Sequence, residues 1–505
     1  MSALLSKLHS RDSESLILLD ASRHFDSRQL ERAIAHFARM LDKLGIDRLA
    51  LFADNSIDWL IADLACLQLE IVLLPLPAYF SSAQLQHALL TSGIRHIATD
   101  NPQQLQTLLP ELKLQIQHNY SPDLCILESS IHIDRPELPR GTQKITFTSG
   151  SSGQPKGVCL SAEQQELQAG SLCDAIQIDQ PLHMCALPLP TLLENIAGVY
   201  APLFAGGQVH LPSLHALGFE GSRMLRPQAF LQQLSLIQPD TLILIPQLLA
   251  FLVQAARQGW PVPEFKFVAV GGSKVSPDLI HEARHAGIPA YEGYGLSECT
   301  SVVSLNIPAA DQPGTCGKVL PIHQLSIENG EILIRGNNML GYLENPESWY
   351  PEVIHTGDLG HLDPENFLHI DGRSKNLLIS SYGRNISPEW VESELLTSPL
   401  FSEVVVFGDA RPHCVALLST RSPEITEQQI DQAIAGVNSK MPDYARIQAW
   451  YRLHKPLAVN PLFMTSNDRP RREQISQHYA DVIEQLYLNN GISPSESTRE
   501  EHTAA

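Results

Sequence analysis

In RQLERAIAHFARMLDKLG the apolar residues Leu30, Ile34, Phe37, Leu41 and Leu44 recur at three- and four-residue steps, and the run stops at Gly45. That is the pattern of an amphipathic helix and its C-terminal stop. A short apolar stretch, LALF, follows; Asn55 or Ser56 is then placed to cap a second helical run, SIDWLIADLACLQL. The continuous apolar segment IVLLPL comes next and reads as a strand buried on both faces. Strand, helix and strand in this order predict a parallel sheet with helices packed on it. The same grammar returns between roughly residues 182 and 305, in TLILIPQLLAFLVQA, FKFVAVGGSKVSPDLIHEARHAG and IPAYEGYG, with Ser276 before Pro277 as an N-cap and first-turn pair. From Gly330 the texture changes to short alternating segments such as GEILIRG and LDPENFLHIDGR, which suit a small antiparallel unit. Beyond Arg373 and Ser374 the runs SEVVVFGD, HCVALLST and EQQIDQAIAGVN supply enough apolar surface for a separate domain.

The expected fold is therefore α/β. A large N-terminal domain over residues 1–373 is built from βαβ sheets plus a small antiparallel unit. A small mobile α+β domain follows over 374–490, and the polar stretch 491–505 is a disordered tail. At 505 residues the chain exceeds one ordinary domain. Its formal charge of -20 disfavours a non-specific hold on nucleic acid or anionic membrane, so an anionic ligand needs a locally positive site. The eight cysteines contain no CxxC pair, which argues against a zinc ribbon or disulfide framework and for reduced cytoplasmic thiols. The N-terminal apolar run is too short for a secretory signal, and ADLACLQLEIVLLPLPAYF is interrupted by Asp63, Gln68, Glu70, Pro75 and Pro77, so no transmembrane segment is expected.

Chemistry is densest in ITFTSGSSGQPKGVCLS. Thr148, Ser149, Ser151 and Ser152 offer hydroxyl donors, Gly150, Gly153 and Gly157 let backbone N–H groups approach phosphate oxygens, and Lys156 adds a cation. The spacing matches neither a Walker A loop nor a GxSxG nucleophile elbow. An isolated Ser/Gly-rich string is as readily a linker; apolar β-type residues before it and the stiff Pro155-Lys156-Gly157 exit favour a ligand loop.

With its companions this segment resembles the phosphate loop of the acyl-adenylate-forming family of acyl-CoA synthetases, luciferases and peptide-synthetase adenylation domains. The companions follow in the family's order: VAVGGSKVSPDL, YEGYGLSE, GEILIRGNNMLGY, HTGDLG and DGRSKNLLISSYGRNISPEWVE. The resemblance implies an ATP site of Thr148, Ser149, Gly150, Ser151, Ser152, Gly153 and Lys156 on the phosphates, and Gly271, Gly272 and Ser273 around adenine. Tyr294 would stack on the ring and Glu292 would accept from its amine, with Gly295 and Ser297 alongside. Asp358 and Arg373 would hold the ribose, and Glu298 would hold Mg2+. Lys375 falls on the family's hinge, and Gly383 in the loop that leaves passage for a pantetheine arm. Standing alone, a Glu after a turn or a Lys after Ser is usually a solvated surface charge; the motif context reverses that.

One position departs from the family. Near the C-terminus, where relatives carry a Lys that bridges the substrate carboxylate and the α-phosphate, MTSNDRPRREQI places Arg469. Its planar fork is longer and differently shaped, so the exchange is not conservative. Three readings are open: Arg469 works in an adapted geometry, adenylation is slow while thioester formation persists, or the protein binds nucleotide without turnover. The retained phosphate loop, Glu298, Asp358 and Arg373 favour the first, with Lys156, Glu298 and Arg469 as the catalytic set. Arg471 and Arg472 read as solvated or salt-bridged.

The implied reaction is ATP-dependent activation of a carboxylic acid to acyl-AMP, then transfer to a thiol. CoA is the commonest acceptor, and phosphopantetheine on an acyl carrier protein is the alternative. In ALPLPTLLENIAGVYAPLFAGG no Asp occurs between Pro188 and Phe204 to bind an α-ammonium. Thr191, Leu192, Leu193 and Ile196, with Ala197, would make an apolar wall for an aliphatic or fatty acid, although a core helix has the same composition.

Overall fold

The structure, a computed structural model, describes residues 2–20, 23–148, 155–220, 223–381, 384–460, 462–465 and 469–488. Ser149, Gly150, Ser151, Ser152, Gly153 and Gly383 lie outside the described residues, as does the 491–505 stretch.

The periodic run around Leu30 forms the helix Ser27–Lys43, started by a reciprocal capping box between Asp26 and Gln29. Ser56, not Asn55, caps the helix Ile57–Leu69, accepting from the Trp59 N–H. The IVLLPL segment yields the strand Val72–Pro75, placed between Arg48–Phe52 and Lys144–Thr148 in the interior of an eight-stranded sheet. A second sheet of nine strands runs parallel through its centre, where Leu182–Met184, Thr241–Leu244, Phe267–Val270 and Ala290–Tyr294 lie side by side. Apolar side chains between and around the sheets form the largest core cluster, from Leu4 to Leu368. The alternating segment after Gly330 becomes a four-stranded antiparallel sheet of His323–Glu328, Glu331–Gly336, Ile354–Leu362 and Leu368–Arg373.

Residues 378–486 build their own core in two clusters around a sheet of Phe401–Phe407, Cys414–Thr420 and Ile447–Arg452. Arg472 is not a solvated charge: it pairs with Glu392 at 2.6 Å inside this unit and also donates to the Val406 carbonyl. Among the described residues no helix is long and apolar enough to cross a membrane.

Beneath the nine-stranded sheet, the Ser/Thr-free stretch after Thr191 winds into the wide-turn helix Leu193–Tyr200, continued by Ala201–Phe204. Its buried polar residues face inward and are all partnered. Asn195 and Tyr200 donate to Asp63, and Asp63 pairs with Lys144 at 2.9 Å. Lys144, 1% exposed, in turn donates to Asn195 at 2.6 Å. This cluster ties together three elements: the helix Ile57–Leu69, the strand leading to the phosphate loop, and the wall helix.

Candidate active site

The loop after the strand Phe267–Val270 and the turn after Ala290–Tyr294 meet at the C-terminal ends of the parallel strands, where open α/β sheets bind ligands. Gly272 has φ +85°, a conformation that favours glycine. At Gly295 a Cβ atom would sit 1.7 Å from the Ser301 carbonyl oxygen. Both turns therefore require glycine, and their backbone comes close to the space between them.

Three sets of contacts surround this junction. Tyr294 donates its hydroxyl to Asp358 Oδ2 at 2.7 Å, and Arg373 Nε meets Asp358 Oδ1 at 2.8 Å. Asp358 and Arg373 are cross-strand partners in the antiparallel sheet, which fixes their pairing. The second set involves Lys156, which is paired across the phosphate-loop hairpin with Thr148 and lies over the Tyr342 ring at 5.0 Å. Tyr342 donates to Glu298 Oε1 at 2.8 Å. Thirdly, Arg469 crosses from the C-terminal unit and donates to the Gly272 carbonyl at 2.5 Å. The Arg469 side chain is exposed to solvent where the two units meet. Desolvation there, with the Arg373 charge next, lowers its pKa, and an arginine still remains charged.

Glu292 is buried, which pushes its carboxyl up to about 7 against the lowering influence of Lys274. Its Oε1 accepts weakly from the Cys316 thiol at 3.7 Å, and its Oε2 is buried with no partner among the described residues. A buried acceptor without a hydrogen-bond partner, at the position the resemblance gives to adenine, fits an exocyclic amine. Glu298 fits a hard cation: one carboxylate oxygen is held by Tyr342, and its ligand atoms are oxygen. Ser273 is exposed on the loop after Gly272, and Lys375 is exposed just past Arg373.

A cavity of about 210 Å3 opens from this junction. Gly271, Gly272, Tyr294, Gly295 and Ser297 line its mouth, joined by Thr191, Leu192 and Leu193. Most of the remaining lining is apolar, with Ala197, Ala201 and Ala205 from the wall helix and its end, and Ile176, Ile178 and Phe267, while His183 and Thr241 add polar groups beside Phe267. No Asp, Glu, Lys or Arg lines it among the described residues. Ile196 is a correction to the sequence reading. It is fully buried in the core and does not line the cavity, because the wall helix presents Leu193, Ala197 and Ala201 to that side and turns Ile196 away.

Sequence reasoning missed Tyr342, the link between Lys156 and Glu298. It stands in the quoted GEILIRGNNMLGY string, but nothing in its spacing marks a role. It also missed a polar group in the cavity wall. Glu194 Oε1 meets His183 Nε2 at 3.0 Å, Glu194 Oε2 accepts from the Leu187 N–H, and His183 Nδ1 meets Thr241 Oγ1 at 2.9 Å. Cys185 shares this cluster. Burial and the Glu194 charge push its thiol well up.

Matched against known families, residues 8–343 fit the AMP-binding enzyme model and residues 375–491 its C-terminal domain. The chain belongs to the AMP-binding enzyme family. It is 31% identical over 247 residues to the long-chain-fatty-acid–CoA ligase FadD15 of Mycobacterium bovis, a match covering 43% of this chain and 41% of that protein. The chain thus spans about two fifths of the length of the mycobacterial ligases it matches. It is 27% identical to the 2-succinylbenzoate–CoA ligase of Enterococcus faecalis, covering 81% of this chain and 84% of the relative. Among solved structures, the anthranilate CoA ligase AuaEII with anthranoyl-AMP superposes with a TM-score of 0.79 at 17% identity, covering 94% of this chain and 96% of the other. The o-succinylbenzoate CoA synthetase of Bacillus subtilis with ATP and magnesium gives 0.74 at 22% identity, covering 94% and 99%. These two structures establish the fold.

Proposed function

We propose that this member of the family is an ATP-dependent acid–thiol ligase acting on an aliphatic carboxylic acid, with CoA as the acceptor. One observation carries the reading: a single cavity runs from the glycine turns of the nucleotide junction into an apolar tunnel, and Arg469 reaches over its mouth.

In the first step a carboxylate oxygen of the acid forms a bond to the α-phosphorus of ATP. The bond from that phosphorus to the bridging oxygen breaks, and its electron pair leaves with pyrophosphate. Phosphoryl chemistry of this kind is mostly positioning and charge stabilisation. Lys156 faces the transferred phosphates, Arg469 supplies charge and donors where the acid and the α-phosphate meet, and the Asp358–Arg373 pair orients the ribose. Glu298 would hold Mg2+, which supplies charge neutralisation on phosphate oxygens when bound. In the second step the thiol sulfur attacks the acyl carbon. AMP departs with the electron pair of the broken C–O bond, and the thiol proton passes to solvent. Exposure of Lys375 beside Arg373 supports a hinge at this point, between a large domain ending near 373 and a lid over 374–490.

The relatives support both fatty and aryl acids. The absence of charged side chains from the lining among the described residues disfavours amino acids and acids with a second charge, and the mainly aliphatic lining supports the aliphatic class. Acid-dependent exchange of pyrophosphate into ATP, followed by mass detection of the thioester with CoA and with a pantetheinylated carrier protein, tests both steps. Exchange with fatty acids and a CoA product support the reading. ATP binding without exchange for any acid refutes it, and a product on the carrier protein alone moves the acceptor.

A further inference from the structure

The tunnel has a measurable length. Leu193 lies at its nucleotide end, where a Cβ atom at Gly271 would be 3.9 Å from the Leu193 side chain. Ala205, just after the wall helix, and Pro181, just before the strand Leu182–Met184, also line the cavity. On the sheet side the lining runs from Gly272 back to Phe267, five residues along the chain. At ~3.3 Å per residue that is about 16 Å. An extended hydrocarbon whose carbon–carbon bonds are ~1.5 Å advances by about 1.3 Å per methylene, so the tunnel takes a chain of roughly 12 carbons.

At the far end the wall ceases to be apolar. Phe267, Thr241 and His183 lie on neighbouring strands in direct register. Thr241 and His183 both line the cavity there. His183 turns Nε2 toward the Glu194 carboxylate, and in the neutral ring that nitrogen carries the proton and Nδ1 is the acceptor. The Thr241 hydroxyl therefore donates to Nδ1. Glu194 is itself held by the Leu187 N–H, and Gly198 makes room for the assembly: a Cβ there would lie 2.3 Å from Glu194 Oε1 and 2.7 Å from His183 Nε2. With its proton committed, Thr241 Oγ1 has acceptor capacity left and no second partner among the described residues. An alkyl terminus packed against it leaves that acceptor unpaired, whereas a hydroxyl satisfies it.

We propose that Thr241, oriented through His183 by Glu194, is a specificity-determining residue that recognises a hydrogen-bond donor at the far end of the acyl chain. The preferred substrate is then a fatty acid of about 12 carbons bearing a terminal hydroxyl. The proposal rests on the acid–thiol ligase reading and names its substrate class. A terminal carboxylate is disfavoured, because it offers no donor when ionised and approaches the Glu194 charge.

The test compares dodecanoic, 12-hydroxydodecanoic and dodecanedioic acids in acid-dependent pyrophosphate release by the full chain. The expected kcat/KM for the hydroxy acid exceeds that for dodecanoic acid by about tenfold or more, as for sites built around a substrate hydroxyl. Thr241→Val brings that ratio close to one, and Thr241→Ser keeps it well above one. A purely structural role for Thr241 would lower both rates together and leave the ratio alone. A wild-type ratio near or below one, a Val variant with the wild-type ratio, or better use of the dicarboxylic acid each overturns the proposal, and the first needs no variant to fold. Exchange with aryl or short acids alone overturns it while leaving the ligase reading intact; exchange with no acid overturns both.

Discussion

The resemblance puts Arg469 where family members carry a lysine, and its bond to the Gly272 carbonyl reaches across from the C-terminal unit. A lysine ammonium has one point of charge and a shorter reach, so Arg469→Lys is expected to lower pyrophosphate exchange about tenfold or more, measured at saturating ATP. Lys156→Ala removes a phosphate-facing charge and is expected to slow adenylate formation by at least about tenfold. Glu292 gives a prediction with a defined pH dependence. Its folded pKa of about 7 stands above the unfolded value, so the neutral form is fully tolerated below the ordinary carboxyl range and stability is lost as pH rises through about 7. Glu292→Gln removes that loss and should stabilise the protein by about 3 kcal/mol at pH 8, with almost no gain at pH 4, read from urea unfolding at the two values. The candidate residues of this site could be picked out because each sits in an ordered motif, and their roles are those the resemblance implies. What sequence could not give was their partners. Tyr342 lies 44 positions from Glu298, and Thr241 lies 58 from His183; only the fold makes them neighbours.

The wall helix shows how an element can carry two duties. One side presents Leu193, Ala197 and Ala201 to the cavity, while the other buries Asn195 and Tyr200 against Asp63 and Lys144. Removing one member of a buried ion pair leaves the other uncompensated, so Asp63→Ala should cost about 3–5 kcal/mol in denaturant unfolding. The double replacement Asp63→Leu with Lys144→Met should recover much of it. Apolar periodicity found the main helices and the central parallel strands, because those elements bury a whole face. Apolar composition put Ile196 in the pocket wrongly, because composition cannot tell which side of a buried helix meets a cavity and which meets the core. Antiparallel additions such as Leu114–Ser121 against Leu124–Ser129 also escaped, since the first of these strands has largely exposed polar residues and no clean alternation.

At the scale of the molecule, a chain with a net charge of -20 gathers Lys274, Arg373 and Arg469 around one junction, each close to a carboxylate or a carbonyl oxygen, with Lys156 over the Tyr342 ring. Contacts that bring the C-terminal unit onto this junction include Arg469 on Gly272, in the loop after Phe267–Val270, and an ion pair between Lys440 and Asp278, in the first turn of the helix Pro277–His285. The two-part division could be read from the change in sequence texture near Arg373, whereas the closeness of the parts could not, because surface charges such as Lys440 carry no signature of their partner. The central claim is that this closed junction makes acyl-adenylates from aliphatic acids. Its most direct test is ATP–pyrophosphate exchange by the full chain with fatty, aryl and amino acids at equal concentration. The account predicts exchange that requires acid and Mg2+ and is fastest with fatty acids of about 12 carbons; tight ATP binding with no acid-dependent exchange would contradict it.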